Sequence, residues 1–196
     1  AGGEFYVDDV SVKEATSYSG GGFEREAYKL VESDNNGLHA QWTPVITGTG
    51  TNVYSYSIYA KAAERNWLLL KVTRGSSNLD GWFDLENGVV GTLEAGYTAT
   101  ITPLANGWYR CTATVQLTGT QNLRMWPYLA SADNTTNYQG DGTSGLYLAY
   151  AQLEQSSYAS SLMLPTTEGS TTSRVGDAVT NAGNQSLFSS VNSSGV

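Results

Sequence analysis

"NGWYRCTATVQL", residues 106–117, opens with a turn dipeptide and then alternates. Tyr109, Cys111, Ala113, Val115 and Leu117 share one side, while Trp108, Arg110, Thr112, Thr114 and Gln116 share the other. Such period-two alternation marks a strand with one face on a core and the other turned to polar surroundings. The tryptophan on the polar side is the exception. Beside a turn and two residues before Arg110, it is read as structural, stacking on that guanidinium or closing the end of a sandwich. Cys111 is the only cysteine, so it lacks an internal disulfide partner and reads as a small core residue.

The same period recurs outward from this strand. "VYSYSIYAKA" (53–62) places Tyr54, Tyr56, Ile58, Ala60 and Ala62 on one face, and "WLLLKV" (67–72) is apolar enough to lie centrally, with Trp67 at its start read as core. "GWFDLENGVVGTL" (81–93) holds two β-prone runs around Asn87-Gly88, the dipeptide suited to a two-residue hairpin turn. "YTATITPL" (97–104), "NLRMWPYLA" (122–130) and "GLYLAYAQLE" (145–154) complete the series, the last two separated by the polar loop 131–145. "KAAERN" (61–66) is long enough for one helical turn and no more. About eight closely spaced strands predict an all-β chain, an antiparallel β-sandwich with irregular termini.

With 196 residues, 40% of them hydrophobic and only 14% charged, the chain suits one medium-sized β domain rather than a disordered polymer. Its net charge of −8, with no run of lysine or arginine, argues against nucleic acid and anionic membrane surfaces as partners. No apolar stretch approaches the roughly 20 residues of a membrane-spanning helix, so membrane insertion is not expected. Three regions follow from composition. Residues 1–22 form a strand and a linker ending in Gly20 to Gly22, residues 23–165 the sandwich, and residues 166–196 a Ser/Thr/Asn/Gly-rich tail too poor in apolar groups for a core of its own.

Three stretches together carry a resemblance: "YSIYAKAAERNWLLLKV", "FDLENGVVGTLEAGYTATITPLANGWYRCTATV" and "GLYLAYAQLEQSSYASSLMLPTTEGSTTSRVGDA". In this order they resemble the carbohydrate-binding-like β-sandwich module that recurs in tail-fibre, tail-spike and other virion proteins of bacteriophages. The resemblance implies a jelly-roll sandwich like that of carbohydrate-binding modules, location in the virion, host attachment, and partners among cell-surface polysaccharide and other virion subunits. It also implies a homo-oligomer, commonly a trimer. It makes residues 5–14, "FYVDDVSVKE", look like the end of a preceding module, and residues 174–196 the lead into a following lectin-like one. One departure stands out: where family members often carry a tryptophan and a glycine in the last strand, this chain has Ala149 and Tyr150, so no ligand contact of that tryptophan carries over.

A sugar site combines an aromatic plane with a few hydrogen-bonding side chains. Alternation in "NLRMWPYLA" puts Arg124, Trp126 and Tyr128 on one face, successive residues of which are roughly 6.6 to 6.8 Å apart, and Leu123, Met125 and Leu129 on the other. The same pattern fits a core tryptophan with an arginine over its edge. Pro127 belongs on an edge strand or at a bulge. Trp82, beside a turn with Asp80 and Asp84 near it, is a second platform or a lid on that turn, and Trp42 has no deciding context. The expected carbohydrate-binding set is therefore Trp82, Arg124, Trp126 and Tyr128.

Asp133, Asn134, Asn137 and Asp141 in the long loop are hard oxygen ligands of the type calcium takes, but their spacing is not that of an EF-hand, and no cofactor is otherwise expected. Catalysis has little support. The sole histidine, His39, has no nucleophile motif beside it, and a glycosidase would need Asp80 with Asp84 or Glu86, or Asp133 with Asp141, brought to hydrolase spacing by folding. The reading is a non-enzymatic binding module, with a structural spacer, decoration or oligomerisation module of the virion as the alternative.

Overall fold

The computed structural model describes residues 10–14, 27–41, 43 and 45–163. The hinge at Gly20 to Gly22, Trp42 and the tail at 166–196 lie outside the described residues. Within them there are no α-helices, and all strand pairs are antiparallel.

The chain forms β1 (Val10–Glu14), β2 (Tyr28–Glu32), β3 (Asn36–Gly37), β4 (His39–Ala40), β5 (Ile46–Gly48), β6 (Val53–Ala62), β7 (Trp67–Arg74) and β8 (Ser77–Asp84). There follow β9 (Val89–Leu93), β10 (Tyr97–Pro103), β11 (Trp108–Gln116), β12 (Gln121–Ala130), β13 (Tyr138–Gln139) and β14 (Gly145–Glu154). The first sheet runs β1-β2-β14-β6-β11-β10, and the second runs β4-β12-β7-β8-β9 with β5 also paired to β12. A small ribbon joins β13 to β3. β1, foreseen as the end of another module, is hydrogen-bonded along the edge of the first sheet with Val10 opposite Glu32. The compact unit holding the sheets ends at Leu162.

The core lies between the two sheets, and the alternation in the sequence builds it. Tyr54, Tyr56, Ile58 and Ala60 of β6 and Cys111, Ala113 and Val115 of β11 face Leu68, Leu70 and Val72 of β7 and Leu123, Met125 and Leu129 of β12. β7 is central in its sheet, and its continuous apolar run has a direct cause: Leu69, between the core residues, is buried on the opposite face. Trp67 lies on that opposite face too, half-buried, rather than in the core where its place at the strand start suggested. Burial pushes the Cys111 thiol well above its usual range, which leaves the sulfur unreactive as well as inaccessible.

The turns divide. Asn106 and Gly107 both take left-handed backbone, φ 60° and 76°, as a tight Asn-Gly turn requires. At Asn87-Gly88 only Gly88 does, and the loop is four residues long rather than two. Asp84 causes the difference, because its carboxylate accepts the backbone N–H groups of Glu86 and Asn87, at 2.9 and 3.1 Å, while Gly88 N donates to Asp84 O. "KAAERN" makes no helical turn; it closes the β6–β7 connection as a bend with Ala63 N donating to Arg65 O.

Trp108 is 5% exposed and packs on the outer face of the first sheet with Tyr59, Ala149 and Leu162. The Arg110 guanidinium lies over the Tyr59 ring, 5.6 Å from its centroid, so the arginine on this face is matched to a tyrosine. The segment after β14 folds back across the same face, where Ser55 Oγ donates to Tyr158 O at 2.9 Å. β14 carries a register shift between Ala149 and Gln152, with Tyr150 in left-handed backbone at φ 49°.

The long loop 131–144 is held from beneath by Glu32, whose side chain is fully buried. Arg65 donates to both of its oxygens, at 2.7 and 2.5 Å, Tyr138 Oη donates at 2.7 Å, and Asp141 N at 2.9 Å. Burial opposes ionisation here, but these donors and the Arg65 charge outweigh it and hold the carboxyl below its ordinary value. Asp141 is held lower still by the Ser144 hydroxyl and N–H and by the Thr143 N–H. Arg65→Met strands the Glu32 charge and is expected to lower stability by about 3 kcal/mol in urea titration at pH 7. Because the folded pKa of Glu32 is depressed, its contribution is present above the unfolded value of about 4.3 and is lost as pH falls through the folded value. Glu32→Gln should therefore flatten the fall of Tm between pH 5 and 3. Cys111 should resist Ellman's reagent until the chain is unfolded.

Candidate functional site

The outer face of the second sheet is a grid of opposed side chains. Arg124, Thr73 and Asn78 make one rung across β12, β7 and β8; Trp126, Lys71 and Asp80 the next; Tyr128, Leu69 and Trp82 the third. Successive rungs are one period-two step apart, roughly 6.7 Å. Each side chain points outward because its neighbours Leu123, Met125, Leu129, Leu68, Leu70, Val72, Leu79 and Phe83 occupy the core.

The predicted set is thus brought onto one face, with unequal access. Trp82 is 3% exposed beneath loop 131–137, and its Nε1 donates to Thr135 O at 3.2 Å. Tyr128 is 4% exposed and packs with Trp82, Leu69 and Ala130. Neither offers an open ring face, which corrects the expectation that both serve as stacking planes. Arg124 and Trp126 remain half-buried at the surface. The Trp126 and Tyr128 rings are nearly parallel, centroids 5.9 Å apart at 19°, and the Arg124 guanidinium stands 4.8 Å from the Trp126 centroid.

Lys71, Thr73 and Asn78 join the face although the sequence reading did not single them out. Lys71 Nζ stands 2.7 Å from both oxygens of buried Asp80, and Thr73 Oγ1 donates to Asn78 Oδ1 at 2.8 Å. The signal was present, since Lys71 and Thr73 alternate with Leu70 and Val72, but the run "WLLL" hid the period. Burial, aided by the Asp80 charge, pushes the Tyr128 hydroxyl up to about 12, so it stays a neutral donor.

Loop 131–137 is clamped onto this face from one side. Asp133 accepts from Thr92 N and Thr92 Oγ1, at 2.9 and 3.0 Å, fixing the loop to β9. Gly91 is needed there: a Cβ on it would stand 2.7 Å from the Trp67 ring and 2.6 Å from Asp133 Oδ1. Asn134 turns the loop with φ 55°.

The calcium set does not assemble. Asp133 serves Thr92, Asp141 serves Thr143 and Ser144, and among the described residues no three His, Cys, Asp or Glu side chains converge on a metal position. The carboxylate pairs are likewise engaged. Asp80 and Asp84 are four residues apart on one strand, about 13 Å, which exceeds the roughly 9.5 Å upper limit for an inverting hydrolase. Asp84 caps its turn, and Glu86 accepts from Asn66 at 2.6 Å. His39 is fully buried, its Nδ1 3.3 Å from Ser33 Oγ and its Nε2 3.3 Å from Tyr138 O.

Asp133→Ala removes both hydrogen bonds to Thr92 and is expected to free the loop, so that the Trp82 indole N–H exchanges with solvent faster in NMR while the core amides keep their protection. No family model matches the chain, and no curated protein matches it.

Proposed function

We propose that this chain is a non-catalytic β-sandwich module that binds carbohydrate, with Arg124 and Trp126 as the contact centre and Lys71, Thr73 and Asn78 as polar neighbours. The observation that carries the reading is the half-exposed Trp126 flanked by an arginine on its own strand and a lysine on the next. The exposed part of an indole face takes the C–H face of a pyranose, and a guanidinium donates a fork of hydrogen bonds to vicinal hydroxyls or a carboxylate. One such patch is weak. Its avidity comes from several copies on one particle. The resemblance to phage tail-fibre and tail-spike modules supports cell-surface polysaccharide as the ligand, the virion as the setting and a homo-oligomer, commonly a trimer, as the form.

A second reading, a structural module docked on other virion subunits, is favoured by the edge strand β9, where Val89 and Leu93 are exposed. Apolar groups on an unpaired edge suit a protein contact.

A glycan array and affinity gels with the isolated domain separate the two. On the binding reading, Trp126→Ala weakens retention at least tenfold with Tm nearly unchanged, whereas Trp82→Ala chiefly lowers Tm. Equal retention of Trp126→Ala and the unaltered protein removes the binding reading; failure to bind any host glycan, with assembly lost in Val89→Asp, supports the structural one.

A further inference from the structure

β12 is covered unevenly along its outer edge. β5 pairs with Gln121 to Leu123 and β4 with Tyr128 and Leu129, so among the described residues no strand is paired with Arg124 to Pro127 on that side. Pro127, which has no N–H to give, stands in this gap, in a strand that has neighbours on both sides and keeps its register with β7, rather than on the edge strand or bulge expected of it. The two carbonyls facing it are taken individually, Met125 O by the Thr43 hydroxyl and Pro127 O by Gln41 N.

The gap opens into a cleft of about 460 Å³ that reaches between the sheets. Ile46, Leu123, Met125 and Pro127 wall it from one sheet, and Ala151 and Leu153 from the other. Tyr28 crosses it, donating its hydroxyl to Gln41 Oε1. Tyr56 also lines it, 4% exposed, and its hydroxyl has no hydrogen-bond partner among the described residues. Burial raises the Tyr56 phenol, and the nearby Tyr28 raises it further, so the group is a neutral donor and acceptor. A buried hydroxyl left unsatisfied is unfavourable by about 1 to 3 kcal/mol, which a ligand oxygen placed against it recovers in part.

We propose that this cleft is a second binding site, adjoining the outer face at Arg124, for a small uncharged molecule with an apolar ring or chain and one oxygen that hydrogen-bonds to Tyr56. The volume falls within the usual range for small-molecule sites, roughly 300 to 1,000 Å³, and the mixture of apolar walls with a few polar groups is theirs as well. A charged ligand is disfavoured. The described walls hold no carboxylate to pair a cation, and Arg124 stands only at the lip, so a charge carried in among the apolar walls would be buried without a counter-charge.

The test uses p-cresol and its hydroxyl-free analogue toluene, titrated into the whole chain and followed by methyl and aromatic NMR shifts. Saturable binding of p-cresol is expected, with the largest shifts at Ile46, Met125 and Leu153 and an affinity about fivefold above that of toluene, the worth of one hydrogen bond. Tyr56→Phe removes an unsatisfied group and should fold at least as well; in it toluene binds as before and the preference for p-cresol vanishes. Ala151→Trp, at an exposed position of the wall, should block both ligands. Absence of saturable binding, shifts centred outside the cleft, or a p-cresol preference that survives Tyr56→Phe would each overturn the site.

Discussion

The burial of the Glu32 carboxylate sets the terms for one end of the sandwich. A carboxylate fully out of water must find donors on every side, and this one draws them from parts of the chain far apart in sequence: Arg65 from the β6–β7 bend, Tyr138 from the short β13 and the backbone N–H of Asp141. The long loop between β12 and β14 is thereby anchored at its far end. Asp133 anchors its near end on β9, and between the two the loop passes over Trp82. Whether the Trp82 indole meets solvent is decided by this pair of carboxylates more than by the strand that carries it.

The two proposed binding surfaces arise from opposite features of the second sheet. On its outer face, regular pairing of β12, β7 and β8 lines up arginine, lysine, threonine and asparagine around one indole. At its edge the pairing lapses, and the lapse admits a cleft between the layers. The first offers polar groups around an indole, and the second offers largely apolar walls.

Much of the architecture was legible from period-two alternation. In β6, β11 and β12 the side chains assigned to the core are in the core, because one face of each strand is apolar throughout. The reading failed where large apolar side chains sit on the outer face of a sheet. Leu69 and Trp67 belong to an outer cluster that "WLLL" cannot reveal, and Trp82 is sealed by a loop whose path depends on Asp133 reaching Thr92 across 41 positions of sequence. The short strands β4 and β5 carry too few residues for a period to register, so the cleft beside the segment between them was invisible beforehand. Glu32 and Arg65 gave no signal at all, since nothing local distinguishes a buried ion pair from two solvated charges.

The doubly buried β7 also bears on how the sheet finds its alignment. Three successive leucines tolerate a slide of one position, because each would exchange one apolar environment for another. Lys71 does not: shifted by one, its ammonium would turn inward among Val72's former neighbours and leave Asp80 buried without a counter-ion. The ion pair thus acts as a locating pin between β7 and β8, selecting one pairing from several that greasy contacts alone would accept.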